Sequence, residues 1–510
     1  MAQQIQNITI TAPGFAGINT QDAPLSQDPS FCAVADNCVI DKQGRIAARK
    51  GALLLTTNGP AVLGSSAGIE AIKQFRDDSG ATSVFSCGNN KIFTGTTTLT
   101  NVTPAAYTIT ANNWKIVTLN EHIYFFQRGY VPLVYSTATT PLSVITAHPG
   151  YAGTAPNGNE ALAAFGRLWV TDTTTDKSTI KWSDLLDGVK WTGGSSGSID
   201  ITKVWPNGYD EIVALAAHNG FLVIFGKESI VIYKGADDPS TMALSDTISS
   251  IGCVGRDAVT STGRDLVFLD KSGLRSLSRT IQEKSAPLGD ISRNVDEDIK
   301  LIISNETGNI QVHYSPVEAF VVTLFPSQDQ SYVFDTKRQL EDGSYRATTW
   351  TSMGALCFTN LIDDTLYIGT SGGISTYSGF NDNASATYVL NYSSHPLTFG
   401  NSSTLKFLKR INVTTFNGAS ALVTLSFAYD YATAYKKRSY TLPSTNVAQY
   451  GIAEYNLTAE YSNSITLINR EKVNAAGQGA AVSVGLETTV NGNSIAIQEL
   501  NIQALVGRII

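Results

Sequence analysis

The hydrophobic positions of the chain recur in one phrase: an apolar strand, a short polar turn rich in Gly, Asp or Asn, and a second strand. Copies read SVFSCGNNKIFTG from Ser83, HIYFFQRGYVPLVYS from His122, RLWVTDTTTDKSTIKWS from Arg167 and FLVIFGKESIVIYKG from Phe221. They continue with DLVFLDKSGLRSLSR from Asp265, AFVVTLFPSQDQSYVFD from Ala319 and TLYIGTSGGISTYSG from Thr365. Short apolar runs bounded by turn residues mark strands, and self-similarity at a regular period marks an array of equal units. Successive copies start 39 to 54 residues apart, which is room for four short strands and the size of a propeller blade. One such sheet cannot bury both of its faces, so neighbours stack radially and the ring closes. The pattern predicts an all-β chain with a β-propeller of six or seven blades over residues 64–383. A series of β-sandwiches is the alternative.

The flanks have other patterns. From Tyr388 the strands lengthen and alternate strictly, as in LKFLKRINVTTF at Leu405, ALVTLSFAYDY at Ala421 and SITLINREKV at Ser464, which predicts a β-sandwich-like domain over 384–510. Residues 1–63 read as an extended arm broken by Pro13, Gly14, Gly17, Pro24 and Pro29, then a hairpin-like DNCVIDKQGRIAARKG from Asp36, suited to contacts with another subunit or a platform. One helix is predicted, over 292–305, with Ser292 as N-cap, acids early, and Val295, Ile299, Ile302 and Ile303 on one face. It reads as a surface insertion between blades, and its Asp296, Glu297 and Asp298 as solvated charges complementing the helix dipole.

Composition agrees with strands over helices. Of 510 residues only 15% are charged, against 42% hydrophobic, with 43 Gly, 21 Tyr and 20 Phe, so there is little of the Glu, Lys and Arg that fills solvent-facing helices. No run approaches the length of a membrane-spanning helix, and the opening MAQQIQNITITAPGF lacks the basic flank and apolar stretch of a secretory signal, so the chain is expected to be soluble and made in a cytoplasm without standard export. Five scattered cysteines, Cys32, Cys38, Cys87, Cys253 and Cys357, read as free buried thiols. Net charge is −7 and unevenly spread: residues 384–510 hold nine Lys and Arg against six Asp and Glu, net +3, which leaves −10 for the first 383. That balance argues against a basic nucleic-acid clamp.

Catalytic chemistry leaves few traces. His122, His148, His218, His313 and His395 stand isolated, with no HExxH and no ligand at helical spacing, and no GxSxG elbow is present. The run from Gly220 to Ser229 only faintly resembles a phosphate loop, because its middle is a hydrophobic strand. Propellers host glycosidases, yet the paired carboxylates of that chemistry cannot be recognised by spacing. Residues 183–191 resemble a sialidase aspartate box only loosely, and such a box is a stabilising turn. The reading is of a chain that is not an enzyme, without catalytic residues, cofactor or metal.

Two segments go further. PGFAGINTQDAPLSQDPSFCAVADNCVIDKQGRIAARKG, residues 13–51, resembles the opening of tail nozzle proteins of short-tailed bacteriophages, also called tail tubular or packaged-DNA stabilisation proteins: a Gly-x-Asn-Thr-x-Asp-x-Pro phrase, Asp-Asn, a turn, and Arg-x-Gly. Here Arg49-Lys50-Gly51 stands where that pattern favours Arg-Pro-Gly. GRLWVTDTTTDKSTIKWSDLLDGVKWTGGSSGSIDI, residues 166–201, is similar to the family's strand, turn, Trp-Ser-Asp, second Trp and Ile-Asp-Ile-like strand, and TLYIGTSGGISTYSG followed by Asn381-Asp382-Asn383 is similar to its last blade. The resemblance implies a structural virion protein, assembled in the host cytoplasm and located in the tail. It implies a homohexameric tube below the portal and adaptor that meets tail fibres or spikes, retains packaged double-stranded DNA and lets it pass without sequence-specific contacts or membrane insertion. Beside it, the residues suggest partner-docking roles for the basic groups Arg45, Arg49 and Lys50 in the arm, and Lys406, Lys409, Arg410, Lys436, Lys437 and Arg438 in the last domain. The alternative function is a carbohydrate- or receptor-binding propeller of a tail, and beyond that a propeller glycosidase.

Overall fold

The computed structural model describes residues 5–64, 68–88, 90–105, 107, 114–136, 140–283, 290–383, 385–417, 420–443, 447–448, 460–461 and 467–509. The seven hairpins of the repeat are the middle strands of seven antiparallel sheets. Their runs are apolar without alternation because both faces of a blade are covered: Arg167–Thr171, Leu266–Asp270 and Phe320–Phe325 are buried at every position.

The first strands of the sheets are Ile69–Arg76, Lys115–Leu119, Glu160–Ala164, Ile212–His218, Val259–Ser261, Gln311–Ser315 and Ala355–Asn360, here numbered blades 1 to 7. Each lies beside the next, and the last lies beside the first, so the ring is closed. Among the described residues six blades have four strands, those of blade 6 forming part of a larger sheet, and blade 5 has three. At that blade's edge Leu274 accepts a hydrogen bond from Ile291 N (2.9 Å) and donates its own N–H to Ser292 Oγ (2.7 Å), so the loop satisfies what a fourth strand would have. Apolar clusters fill the seams: Phe75, Phe85 and Phe125 between blades 1 and 2, Trp169, Trp182 and Leu222 between 3 and 4, Phe320, Trp350 and Phe358 between 6 and 7.

The outer strand of blade 7 comes from before blade 1. Ala52–Leu54 pairs antiparallel with Gly373–Tyr377, in the register Leu54 with Ser375 and Ala52 with Tyr377. The ring is thus fastened by chain distant in sequence.

The C-terminal half-sandwich has two sheets. In one, Thr404–Asn417 lies between Leu467–Asn474 and Ile495–Ile509. The other runs through Tyr388–Ser394, Val482–Val490, Ala421–Tyr429 and Lys436–Leu442. Ile411, Val413, Leu500 and Ile502 of the first share one core with Leu390, Val423, Leu425 and Leu486 of the second. Of the stretch predicted from Ser464, the start lies outside the described residues.

Within residues 5–63, expected as an extended arm and hairpin, several stretches pair as strands with later parts of the chain. Ile5–Thr11 pairs along Ile495–Ile509, Ile46–Ala48 pairs with the same C-terminal strand and with Cys38–Ile40, and Phe31–Asp36 joins the second sheet beside Tyr388–Ser394. Prolines and glycines divide this segment into short strands without preventing pairing, and open sheet edges supply the partners. Phe31–Asp36 also meets blade 6 through Asp36 and Thr349, which makes one sheet continuous from propeller to sandwich. The predicted helix is present as Asp296–Asn305 after a single 3-10 turn, Arg293–Val295. It is anchored more firmly than a surface insertion: Ile299 is buried, and Thr20 donates to Asn294 O from its backbone N–H (2.9 Å) and to Asp298 Oδ2 from its hydroxyl (2.6 Å). Among the described residues no helix is long and apolar enough to cross a membrane.

Candidate functional site

Two clusters bring distant residues together: a junction between propeller and sandwich, and a polar group on the propeller axis. The junction is built on Arg49. Its guanidinium is fully buried and makes two parallel hydrogen bonds to Asp382, at 2.8 and 2.6 Å. Its Nε donates to Asn37 Oδ1 at 2.7 Å, and the Tyr388 ring lies 4.0 Å beneath it. A planar fork matched to a carboxylate and stacked on an aromatic face is a role only arginine fills. Asp382 Oδ1 also accepts from Ala52 N (3.0 Å), the first residue of the fastening strand. Gly51 passes so close to Asn381 that an added Cβ would stand 1.8 Å from its carbonyl oxygen. Asp36-Asn37, Arg-x-Gly and Asn381-Asp382, separate phrases in the sequence, therefore lock into one another here.

This corrects the docking role of Arg49, which has no exposed surface to offer a partner. Lys406 is corrected for the same reason: its side chain is enclosed, with Nζ donating to Asn401 O and to Ala480 O (2.8 Å). Burial pushes that ammonium below its usual range. Arg45 pairs with Asp41 at 2.6 Å and lies 4.4 Å over Phe416, and Lys50 pairs with Glu318 beside Tyr377. Both line a cavity of about 240 Å³ between propeller and sandwich. Lys409 and Arg410 are exposed on Thr404–Asn417, and Lys436, Lys437 and Arg438 are exposed on Lys436–Leu442. These two strands belong to different sheets, and residues 475 and 476 link them, since Lys409 O accepts from Ala475 N (3.0 Å) beside the Ala476 carbonyl. Lys437 lies 3.6 Å from Glu487, and Lys436 Nζ donates to Ala476 O at 3.3 Å.

The axial cluster was not singled out by sequence. Lys115 of blade 2 reaches Asp257, just ahead of blade 5, at 2.9 Å, and Glu160 of blade 3 at 3.2 Å, the latter close enough for an ion pair but poorly aligned for a hydrogen bond. Arg256 pairs with Asp257 at 2.7 Å and donates to Trp114 O and Asn159 O, both at 3.2 Å. Glu160 accepts from Leu215 N of blade 4, and Asn309, ahead of blade 6, donates to Asp257 at 2.7 Å. Gln311 of blade 6 clamps the backbone of Phe358 in blade 7, donating at 2.9 Å and accepting at 2.7 Å. The carboxyls here respond oppositely. Burial disfavours the charge of Asp257, but Arg256 and Lys115 outweigh it and hold the group far below the usual carboxylate range. At Glu160 burial wins over Lys115 and raises the carboxyl to about 7. Burial holds the His313 imidazole down at about 4.

The available signal was a charged residue at or near the entrance of an apolar first strand, as in Trp114-Lys115-Ile116 and Asn159-Glu160-Ala161, in a chain sparing of charge. Buried charges must find partners, so such positions point to a shared polar centre. His122 and His148, isolated in sequence, bring their rings to 5.1 Å from each other. All five cysteines are free and buried, and among the described residues no group of His, Cys, Asp and Glu is arranged to hold a metal.

No family model matches the chain, and no curated protein matches it in sequence. Solved structures are similar only in outline. The extracellular domain of a B. thetaiotaomicron protein assigned to the one-component systems has TM-score 0.42 and 10% identity, covering 65% of this chain and 40% of that one. The WD40 β-propeller domain of Doa1 has TM-score 0.33 and 11% identity over 61% of this chain and 96% of that one. The Neurospora crassa Pan2 WD40 domain has TM-score 0.38 and 8% identity, with 64% and 92% covered. At these TM-scores the similarity carries no argument, and the β-propeller class rests on the chain's own sheets and their closed ring.

Proposed function

We propose that the chain is a structural virion protein, the subunit of a homohexameric tail nozzle of a short-tailed bacteriophage. The observation that carries this reading is the convergence of Asn37, Arg49, Gly51, Asn381 and Asp382, all within the phrases that resemble that family, on the junction of propeller and sandwich. Those phrases are spent on making two domains one stiff body, which suits a ring subunit under the load of a packed genome. The tube would sit below portal and adaptor, close the exit channel before infection, and carry fibres or spikes outside. Its acidic propeller half would let a duplex slide without adhering, because affinity for DNA comes chiefly from Lys and Arg neutralising phosphates. No cofactor and no catalytic step enter this reading.

The test is assembly. Six copies of 54.5 kDa give a ring of about 330 kDa, visible by mass photometry and negative-stain imaging of the full chain with and without an adaptor ring. Six-fold rings, or six copies seated on the adaptor, support the reading. A chain that stays monomeric in both conditions and retains glycans on an array overturns it in favour of a carbohydrate-binding propeller.

A further inference from the structure

The propeller axis holds a cavity of about 400 Å³, walled by the first strands of blades 1, 2, 5, 6 and 7. Most charges around it are matched, since Lys115, Arg256 and Asp257 answer one another. Two are not. Glu70 and Lys73, both half-buried on Ile69–Arg76, line the cavity, and among the described residues neither makes an ion pair or side-chain hydrogen bond. The register of this strand against Thr82–Gly88 shifts between Ile69 and Ala71, so Glu70 occupies the irregular position. Bulges of this kind re-aim a side chain. Burial pushes both groups toward neutrality, Glu70 upward against the opposing pull of the Arg256 charge, which forms no ion pair with it, and Lys73 downward with Lys115 adding to the effect. A half-buried ammonium and carboxyl without partners are costly to the fold, and such costs persist where a ligand supplies what the protein lacks.

We propose that the axial cavity binds a small zwitterion of amino-acid size, with Lys73 taking its carboxylate and Glu70 its ammonium group. Polar groups converging in one cavity provide the orientation, and the volume is at the lower end of small-ligand sites. The site is independent of the tail reading, since it lies inside one propeller.

The experiment titrates the full chain with four matched probes, followed by calorimetry and by fluorescence of Trp114, which lines the cavity. The probes are free amino acids, their N-acetyl derivatives, their amides, and N-acetyl amino acid amides, which keep both charges, the anion, the cation and neither. Zwitterions should bind at least about tenfold tighter than either singly charged probe, the equivalent of about 1.4 kcal/mol for each ion pair kept. Glu70→Gln should abolish the preference over N-acetyl derivatives, and Lys73→Met the preference over amides. Trp114→Phe should remove the optical signal and leave the heat. Without ligand, both charge variants should melt at or above the parent temperature, because an unmatched charge has been removed. The proposal is overturned if no probe binds, if the neutral probe binds as well as the zwitterion, if binding survives both variants, or if Lys73→Met lowers the melting temperature by several degrees.

Discussion

At Arg49, one side chain holds Asp382, Asn37, the Lys50 carbonyl and the Tyr388 ring. Removing one partner of a buried pair strands the other, at a cost of about 3–5 kcal/mol. Arg49→Met should therefore lower stability by that amount in denaturant unfolding, while Arg49→Lys, which keeps charge but loses the fork, should recover only part of it. Gly51→Ala should be comparably severe, because its Cβ would collide with the Asn381 carbonyl at 1.8 Å. The axial groups make a pH prediction with two signs. Glu160 is raised from 4.5 to about 7 in the fold, so the stability it contributes is full below pH 4.5 and falls as pH rises toward 7. His313 is lowered from 6.5 to about 4, so its contribution is full above pH 6.5 and falls as pH drops toward 4. The two offset each other across the shared window. Glu160→Gln should expose a loss of stability on acidification from pH 6.5 to 4, and His313→Gln a loss on raising pH from 4.5 to 7, each on the order of 2 kcal/mol in unfolding free energy. An unchanged profile in both variants would mean that these groups are not buried as described.

Among the elements, the fastening strand Ala52–Leu54 is the one with fewest residues and most consequence. Gly51 N donates to Gly379 O and Leu55 N to Ile374 O, so in an antiparallel ladder the amide of Leu53, midway between, faces the same partner strand. Leu53→Pro removes that donor. Hydrogen exchange should then accelerate selectively at Gly373–Tyr377 and not in blades 3 or 4, whereas uniform acceleration would show that the ring has no separable seam. What the sequence disclosed follows from the same geometry. The middle hairpins were legible because both faces are covered, which leaves long apolar runs such as Phe320–Phe325. Outer strands were not, since Thr100–Asn101 has two residues and Ala243–Ser249 is mostly exposed, so neither carries a burial pattern. Before residue 55 the local hairpin of Cys38–Ile40 with Ile46–Ala48 was legible, but Pro and Gly hid Ile5–Thr11 and Phe31–Asp36, whose partners in Ile495–Ile509 and Tyr388–Ser394 lie hundreds of residues away. Arg49 was noticed but given an outward role, because its partner Asp382 is 333 positions distant. Glu70 and Lys73 left no signal, since an unmatched charge reads like any solvated one.

For the whole molecule, the uneven charge leads to a measurement independent of assembly. With −10 over the first 383 residues, the full chain should cause no shift of a double-stranded DNA fragment at physiological salt, and lowering the salt should not create one. A salt-dependent shift would place the basic strands Thr404–Asn417 and Lys436–Leu442 on nucleic acid and end the idea of a non-adhesive conduit. The pairing of early with late segments has a further consequence, which concerns synthesis. As the chain leaves the ribosome, Arg49 and Ala52–Leu54 appear first and wait for Tyr377 and Asp382, and Ile5–Thr11 waits for Ile495–Ile509. Domains generally form as units from the N-terminus during translation, but here the pairings of Ile5–Thr11 and Ile46–Ala48 wait until Ile495–Ile509 is made. A nascent chain cut short anywhere before Ile495 keeps unpaired strands at its front, and is marked as unfinished by the part that was made first.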